Sequence, residues 1–167
     1  MNLMADRASA IIISKRHILL IHRFRAVREF YVFPGGKIEE GESPADACVR
    51  EVLEETGLQT AWLEPAFDYA IPEQMGHYFF VQVEPGTLAF SGPEIDKQSG
   101  QNRYVLEWQP LSGLAALNLQ PAAVRDALAK VVTEHGPVRE AQDLALRRER
   151  IIEILKGARP MVDETAE

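Results

Sequence analysis

The spacing of apolar residues predicts strands on both sides of one central helix. Apolar, β-branched runs at residues 8–14 and 18–24, separated by a polar tip, predict a hairpin of two strands. A short strand is expected at residues 30–33, ahead of Pro34-Gly35-Gly36, where two glycines favour a tight turn and close backbone approach. Four later runs also predict strands, at residues 58–63, 67–71, 77–83 and 104–108.

The helix with the clearest limits is predicted at residues 44–56. Ser43 suits the N-cap, Pro44 suits the first helical position, and Gly57 suits the residue just past the end. The helix is expected to dock on the sheet through an apolar face formed by Ala45, Cys48, Val49, Val52 and Leu53.

Two more helices are predicted, at residues 121–134 and 139–156, from their helical periodicity. Mixed strands, a central helix and terminal helices are typical of an α/β sandwich. We expect one main domain at residues 1–136 and a C-terminal helical extension at 137–160 that packs on this domain or on a second copy. Residues 161–167 are expected to form a disordered tail.

Composition and charge narrow the classes of function. A chain of 167 residues fits one domain, and its net charge of −7 argues against broad affinity for long nucleic acids or anionic lipid. No run of about 20 apolar residues indicates a membrane span. The single cysteine, Cys48, cannot form an internal disulfide, so a cytoplasmic location is expected.

Three carboxylates in the central helix suggest metal chemistry. Glu51, Glu54 and Glu55 stand at i, i+3 and i+4 and therefore share one helix face. Such a face is often merely solvated. Clustered anions nevertheless favour a hard divalent cation, and Mg²⁺ commonly bridges carboxylates to phosphates. Arg50 is placed to hold a neighbouring carboxylate in orientation.

The segment at residues 36–58 resembles the Nudix box, Gly-x5-Glu-x7-Arg-Glu-U-x-Glu-Glu-x-Gly-U, where U is aliphatic. Every specified position matches: Gly36, Glu42, Arg50, Glu51, Val52, Glu54, Glu55, Gly57 and Leu58. The resemblance to the MutT-like Nudix hydrolases implies an α/β/α sandwich with a mixed sheet. It also implies Mg²⁺-dependent hydrolysis of a nucleoside diphosphate derivative or triphosphate, with Mn²⁺ as a substitute metal.

The same resemblance implies which residues hold the metal. Glu51, Glu54 and Glu55 are its expected ligands, and Glu42 is a more variable participant near the site. The backbone of Gly35 and Gly36 is expected to face the metal or a phosphate because it precedes the acidic helix.

The general base is open among several carboxylates. Glu51 is the first choice, Glu94 and Asp96 are candidates in the segment between two predicted strands, and Glu73 follows them. The expected catalytic set consists of Arg50, Glu51, Glu54 and Glu94.

Substrate contacts are expected from a basic stretch before the glycines. Arg23, Arg25 and Arg28 are candidates for phosphates, although solvated hairpin positions explain them equally well. Tyr31 is a candidate for stacking on a base, against the competing interpretation that strand aromatics belong to the core.

Two classes of function remain open at this stage. The first is an active hydrolase of a small nucleotide, and the second is a catalytically silent sensor module that binds a nucleotide without turnover. All box glutamates are present, which favours catalysis. The exposed strands and the last helical stripe also make a homodimer an expected assembly.

Overall fold

The computed structural model describes residues 5–89 and 102–158. The strands in these ranges are β1 (Arg7–Ser14), β2 (His17–Arg25), β3 (Arg28–Val32), β4 (Gly35–Lys37), β5 (Thr60–Ile71), β6 (Gln74–Val83), β7 (Asn102–Pro110) and β8 (Leu119–Gln120). The helices are α1 (Pro44–Thr56), α2 (Ala122–Glu134), α3 (Ala141–Ala145) and α4 (Arg148–Gly157). Within the described ranges, no helix is both long enough and apolar enough to span a bilayer.

The strands form a mixed sheet that splits between β1 and β2. Its order is β5-β6-β1-β2-β3-β8, with β4 paired to β1 and β7 paired to β2. The last residues of β1 pair with β2, through Ile13 and Ile18, whereas its first residues pair with β4, through Ala8 and Gly36. β1 and β2 therefore diverge toward the start of β1, and this divergence opens a cleft.

Helices cover both faces of the sheet, which confirms the predicted α/β/α sandwich. Side chains of a strand point alternately to the two faces, so Ile12 packs on the α1 side and Ile11 on the other. The α1 side also includes Val52, and the opposite side buries residues of the three other helices, including Leu128 and Ile151.

The limits of α1 agree with the sequence prediction, but its buried face does not. Ser43 Oγ accepts a hydrogen bond from the Asp46 amide at 3.1 Å, and Gly57 ends the helix at φ 77°. The expected apolar face is wrong in part, because Val49 and Leu53 are 42% and 43% exposed. The stripe that turns inward includes carboxylates as well as Ala47, Cys48 and Val52, because one side of α1 borders the cleft.

Two of the predicted strands form a single strand in the structure. The runs at 58–63 and 67–71 join in β5, with register shifts between Thr60 and Trp62 and between Pro65 and Phe67. Pro65 does not end the strand because β5 lies at the sheet edge, where a missing N–H is tolerated at an irregularity. Leu58 precedes β5 and is buried against the α1 side.

Two further local predictions are corrected. Gly35 and Gly36 lie in the short strand β4 rather than in a tight turn, because they pair with the start of β1. The single helix predicted at residues 139–156 is broken into α3 and α4, since Arg147 leaves helical geometry at φ −107° and ψ 14°. The break directs α4 along β5, where Arg148 Nε donates to the Ala66 carbonyl at 2.8 Å.

Candidate functional site

A cavity of about 340 Å³ occupies the split in the sheet. Glu51 and Glu55 of α1 line it and are only 8% and 6% exposed. Three cationic side chains also line it: Arg7 of β1, Arg23 of β2 and Lys37 of β4. The cleft thus places buried carboxylates close to cations, a composition suited to a phosphate-bearing ligand with its metal.

The two glycines of β4 are there because side chains would not fit. A Cβ atom on Gly36 would lie 2.4 Å from Glu51 Oε1, so the missing side chain lets the carboxylate approach the strand. A Cβ atom on Gly35 would lie 2.2 Å from the Ala8 carbonyl oxygen. Both contacts are shorter than non-bonded atoms tolerate. A side chain on Gly35 would displace the backbone of β1, whereas one on Gly36 would displace the end of the Glu51 side chain.

Arg50 links the loop before α1 to the carboxylates of the helix. Its Nη1 donates to Glu51 Oε1 at 2.8 Å and to Glu54 Oε2 at 3.3 Å. Its Nη2 also donates to the Lys37 carbonyl at 3.0 Å. The same guanidinium forms two hydrogen bonds with Glu42. Arg50 therefore orients carboxylates of the predicted catalytic set.

Arg50 and Glu42 stabilise each other's charged form. The hydrogen bond from Arg50, assisted by the Glu39 amide, lowers the pKa of Glu42 from 4.5 to about 2. The pKa of Arg50 is raised, chiefly by the hydrogen bond to Glu42. Both groups are consequently ionised at neutral pH.

The donor set suits a hard divalent cation. Glu51 and Glu55 present carboxylate oxygens at the cleft, which is the ligand chemistry that Mg²⁺ and Mn²⁺ prefer. No three metal-binding side chains converge within residues 5–89 and 102–158, and Glu51 and Glu54 instead share Arg50. Two observations therefore support a divalent cation at this site. Glu51 and Glu55 are buried, and the missing side chain of Gly36 leaves room for the Glu51 carboxylate.

Arg23 is the best-placed of the predicted phosphate contacts. Its Nη2 donates to the Tyr104 hydroxyl at 2.9 Å, and its Cζ lies 4.5 Å from the centre of that ring. Its Nε is buried and lacks a hydrogen-bond partner in the described part of the chain. A buried donor without an acceptor is costly, so this edge of the guanidinium is suited to an incoming oxygen.

The structure separates the other predicted contacts. Arg25 and Arg28 share the sheet face of Arg23 but lie outside the cleft. Tyr31 lies on the opposite face, because adjacent strand residues alternate, and it stacks on His22 with ring centres 4.1 Å apart. Glu73 lies in the turn between β5 and β6. Two candidates for the base, Glu94 and Asp96, lie outside the described residues.

The surroundings of His22 and Cys48 indicate structural roles. His22 is buried between the carboxylates of Glu29 and Glu107, and Glu107 also accepts from the Tyr31 hydroxyl at 3.2 Å. Burial and the nearby Glu107 raise the pKa of Tyr31 to about 12. Burial likewise raises the pKa of the Cys48 thiol to about 12, which leaves a small core residue rather than a nucleophile.

Sequence reasoning missed Arg7, Lys37 and Tyr104. Lys37 lies inside the box segment and carried a usable signal, namely a cation next to two functional glycines. Arg7 and Tyr104 carried none, because their positions depend on strand pairing. Arg7 reaches the cleft where β1 meets β4, and Tyr104 does so through its pairing with Arg23.

A second cavity of about 830 Å³ lies away from the acidic cleft, near the turn between β1 and β2 and the start of α3. Lys15, Gln82, Trp108 and Glu140 are among the residues that line it. It contains neither of the buried box carboxylates, and we therefore place the candidate site in the smaller cavity.

Comparisons with known proteins bear on the family and the fold of the chain. A sequence model of the NUDIX domain matches residues 4–130. The chain is 37% identical over 92 residues to an 8-oxo-dGTP diphosphatase of Escherichia coli, which covers 54% of this chain and 65% of that protein. It is 36% identical over 77 residues to an RNA pyrophosphohydrolase of Bartonella bacilliformis, which covers 43% of this chain and 45% of that protein.

The matched regions are less than two thirds of the length of either curated relative. Among solved structures, the MutT protein from Bacillus halodurans superposes with a TM-score of 0.58 at 23% identity. The superposition covers 80% of this chain and 84% of that one. At this identity the likeness supports the fold.

Proposed function

The chain belongs to the NUDIX domain family, and we propose that it is an Mg²⁺-dependent pyrophosphohydrolase of a nucleoside diphosphate derivative or nucleoside triphosphate. Members of this family generally use divalent metal ions.

One observation carries the proposal. Glu51 and Glu55 are buried at a cleft that also contains cationic side chains, and the missing side chain of Gly36 makes room for the Glu51 carboxylate. Burying two carboxylates costs free energy unless a cation or donor compensates for them. Arg50 already donates to Glu51, and a divalent metal would add a second cation beside the two carboxylates and join them to a substrate phosphate.

We assign the metal to Glu51, Glu54, Glu55 and the backbone of Gly36. When bound, the ion polarises a phosphoryl oxygen and lowers the pKa of a bound water. Arg50 holds Glu51 and Glu54 in place. Arg23 offers a substrate phosphate its buried Nε, which has no hydrogen-bond partner among the described residues. Arg7 and Lys37 supply further positive charge at the cleft.

The proposed reaction is attack of water on phosphorus. A bond forms between the water oxygen and one phosphorus of the anhydride, and the bond from that phosphorus to the bridging oxygen breaks. Glu51 accepts the proton that the water loses, and the second phosphate leaves with the electron pair of the broken bond. The products are a nucleoside monophosphate and a phosphorylated remainder, or pyrophosphate from a triphosphate.

The test is hydrolysis of a panel of nucleotides with and without Mg²⁺. The panel contains a nucleoside triphosphate, ADP-ribose, a nucleotide sugar and a dinucleoside polyphosphate. The proteins are the intact chain, Glu54→Gln, and Glu64→Gln as a matched control on the exposed edge of β5. We expect metal-dependent turnover that Glu54→Gln reduces by about 10² or more and Glu64→Gln leaves intact.

Near-normal turnover in Glu54→Gln would overturn the metal assignment. Binding of a panel member without turnover at any metal concentration would favour the rival function, a sensor module. The homodimer and the cytoplasmic location expected from the sequence stay predictions.

A further inference from the structure

A row of aromatic and cationic side chains continues from the cleft across the sheet surface. We call it the arginine strip, and it consists of Tyr104, Arg23, Phe30, Arg28 and Arg25. Arg23 pairs across strands with both Phe30 and Tyr104, and Arg25 pairs with Arg28. Side chains that face each other across strands, and those two residues apart, share a face, so all five lie on the same side of the sheet.

The distances make the strip a continuous alternation of rings and guanidinium groups. Arg23 Cζ lies 4.5 Å from the centre of the Tyr104 ring and 5.4 Å from that of Phe30. Arg28 Cζ also lies 5.4 Å from the centre of the Phe30 ring. The order outward from the cleft is therefore Tyr104, Arg23, Phe30 and Arg28.

The charges of the strip are not compensated within the described residues. Arg25 and Arg28 face each other directly, and like charges in that position destabilise a strand pair. In residues 5–89 and 102–158, neither arginine forms a salt bridge with a carboxylate. The whole chain carries −7, so the strip is a local positive region on an acidic protein. Such a region attracts an anion that extends beyond the cleft.

We propose that the arginine strip binds the phosphodiester chain of a single-stranded oligonucleotide whose 5′ phosphoanhydride lies in the cleft. This inference rests on the proposed function and names its substrate class. Aromatic side chains stack on successive bases, while guanidinium groups hold the phosphates between them, which is the usual composition of a single-strand binding surface. The strip is short and the rest of the chain is acidic, so only the nucleotides next to the 5′ end are held.

The test compares two substrates that have the same 5′ end. One is ATP, and the other is the trinucleotide ApApA with a 5′ triphosphate. Each is assayed with the intact chain, Arg28→Ala and Arg103→Ala. Arg103 is the matched control, because its Cζ lies 4.9 Å from the Phe24 ring on the opposite sheet face. Both variants lose one exposed arginine and one contact with an aromatic ring.

We expect the intact chain to have a higher kcat/KM for the trinucleotide than for ATP. Arg28→Ala should lower the ratio of the two kcat/KM values by about tenfold, and Arg103→Ala should leave that ratio unchanged. The salt dependence of KM for the trinucleotide should also weaken by about one phosphate contact in Arg28→Ala. Equal kcat/KM values for both substrates in the intact chain, or equal ratios in the two variants, would overturn the inference.

A binding measurement separates this inference from the proposed function. The probe is a fluorescent ApApA trinucleotide with a 5′ monophosphate, followed by anisotropy at several salt concentrations. Tighter binding to the intact chain and to Arg103→Ala than to Arg28→Ala supports the strip even if no hydrolysis occurs. Hydrolysis of ATP combined with equal binding by all three proteins would overturn the strip and retain the hydrolase. Melting temperatures show whether the two variants are equally folded.

Discussion

The guanidinium of Arg50 contacts both carboxylate oxygens of Glu42, with Nε 2.8 Å from Oε2 and Nη2 3.0 Å from Oε1. The two residues are separated by the start of α1, so this pair fastens the loop before the helix onto the helix itself. Because Arg50 also contacts Glu51, the geometry of the loop and that of the catalytic carboxylate are coupled.

The first prediction is that the stabilising effect of the Glu42–Arg50 ion pair is lost at low pH. The pKa of Glu42 is about 2 in the folded chain against an ordinary 4.5, so its ionised form is favoured by folding. A depressed pKa contributes stability that is present above about pH 4.5 and is lost as the pH falls toward 2. We expect Glu42→Gln to be less stable than the intact chain at pH 7, with the difference shrinking across that window.

Urea denaturation midpoints at a series of pH values measure this difference, because other carboxylates titrate in both proteins and cancel. If the difference in stability between the two proteins stays constant from pH 7 to pH 2, Arg50 does not lower the pKa of Glu42. Arg50→Lys should show part of the same loss, since an ammonium cannot make both hydrogen bonds in this fork geometry.

The second prediction is that alanine at the two glycines of β4 has different effects on stability and turnover. Gly35→Ala places a methyl group 2.2 Å from the backbone of Ala8, so β1 or β4 must shift and the fold should be strongly destabilised. For Gly36→Ala, the three described atoms nearest to the new methyl group all belong to the end of the Glu51 side chain, which can rotate away. We expect Gly36→Ala to keep most of its stability and to lose turnover, because Glu51 leaves its position.

Thermal melting and hydrolysis rates test both variants, and Gly113→Ala is the control. Among residues 5–89 and 102–158, no atom lies within 4 Å of a Cβ atom placed on Gly113. If Gly36→Ala keeps full activity, the close approach of Glu51 to β4 is not needed for catalysis.

Features that depend on residues close together in the sequence could be predicted, whereas features that depend on distant strands could not. The limits of α1 were predictable because Ser43 and Gly57 act on backbone groups within a few residues of themselves. The burial of Glu51 in place of Val49 was not, because it depends on a cleft formed by β1 and β4. Hydrophobic periodicity alone assigns the apolar side chain to the inside.

The arginine strip illustrates the same limit. Arg23 and Arg28 were recognisable as a basic stretch, but Tyr104 is 81 residues from Arg23 and joins it only through the pairing of β2 with β7. Likewise, Tyr31 was an attractive stacking candidate until the register placed it on the opposite face beside His22. A one-residue change in register exchanges the faces, and sequence does not fix the register of strands so far apart.

The third prediction concerns the general base. If Glu51 takes the proton from water, Glu51→Gln should lower kcat by about 10² or more, and raising the Mg²⁺ concentration should not restore it. Glu94→Gln is expected to lower kcat by less than about tenfold. The reverse ranking of the two variants would move the base to the segment that contains Glu94, and recovery of Glu51→Gln at high Mg²⁺ would leave Glu51 as a metal ligand alone.

The last prediction tests what the C-terminal helices do, using two leucines only two positions apart. Leu144 of α3 is fully buried in the cluster that also contains Ile151 of α4, whereas Leu146 between these helices is 79% exposed. Leu144→Ala should lower the free energy of unfolding by about 2–5 kcal/mol, because it removes buried methyl groups and leaves a cavity. Leu146→Ala should change it by less than about 0.5 kcal/mol if the chain is a monomer. Chemical denaturation gives both values, and sedimentation gives the mass. A large loss for Leu146→Ala together with a fall from dimer to monomer mass would instead assign this exposed leucine to the interface between two copies.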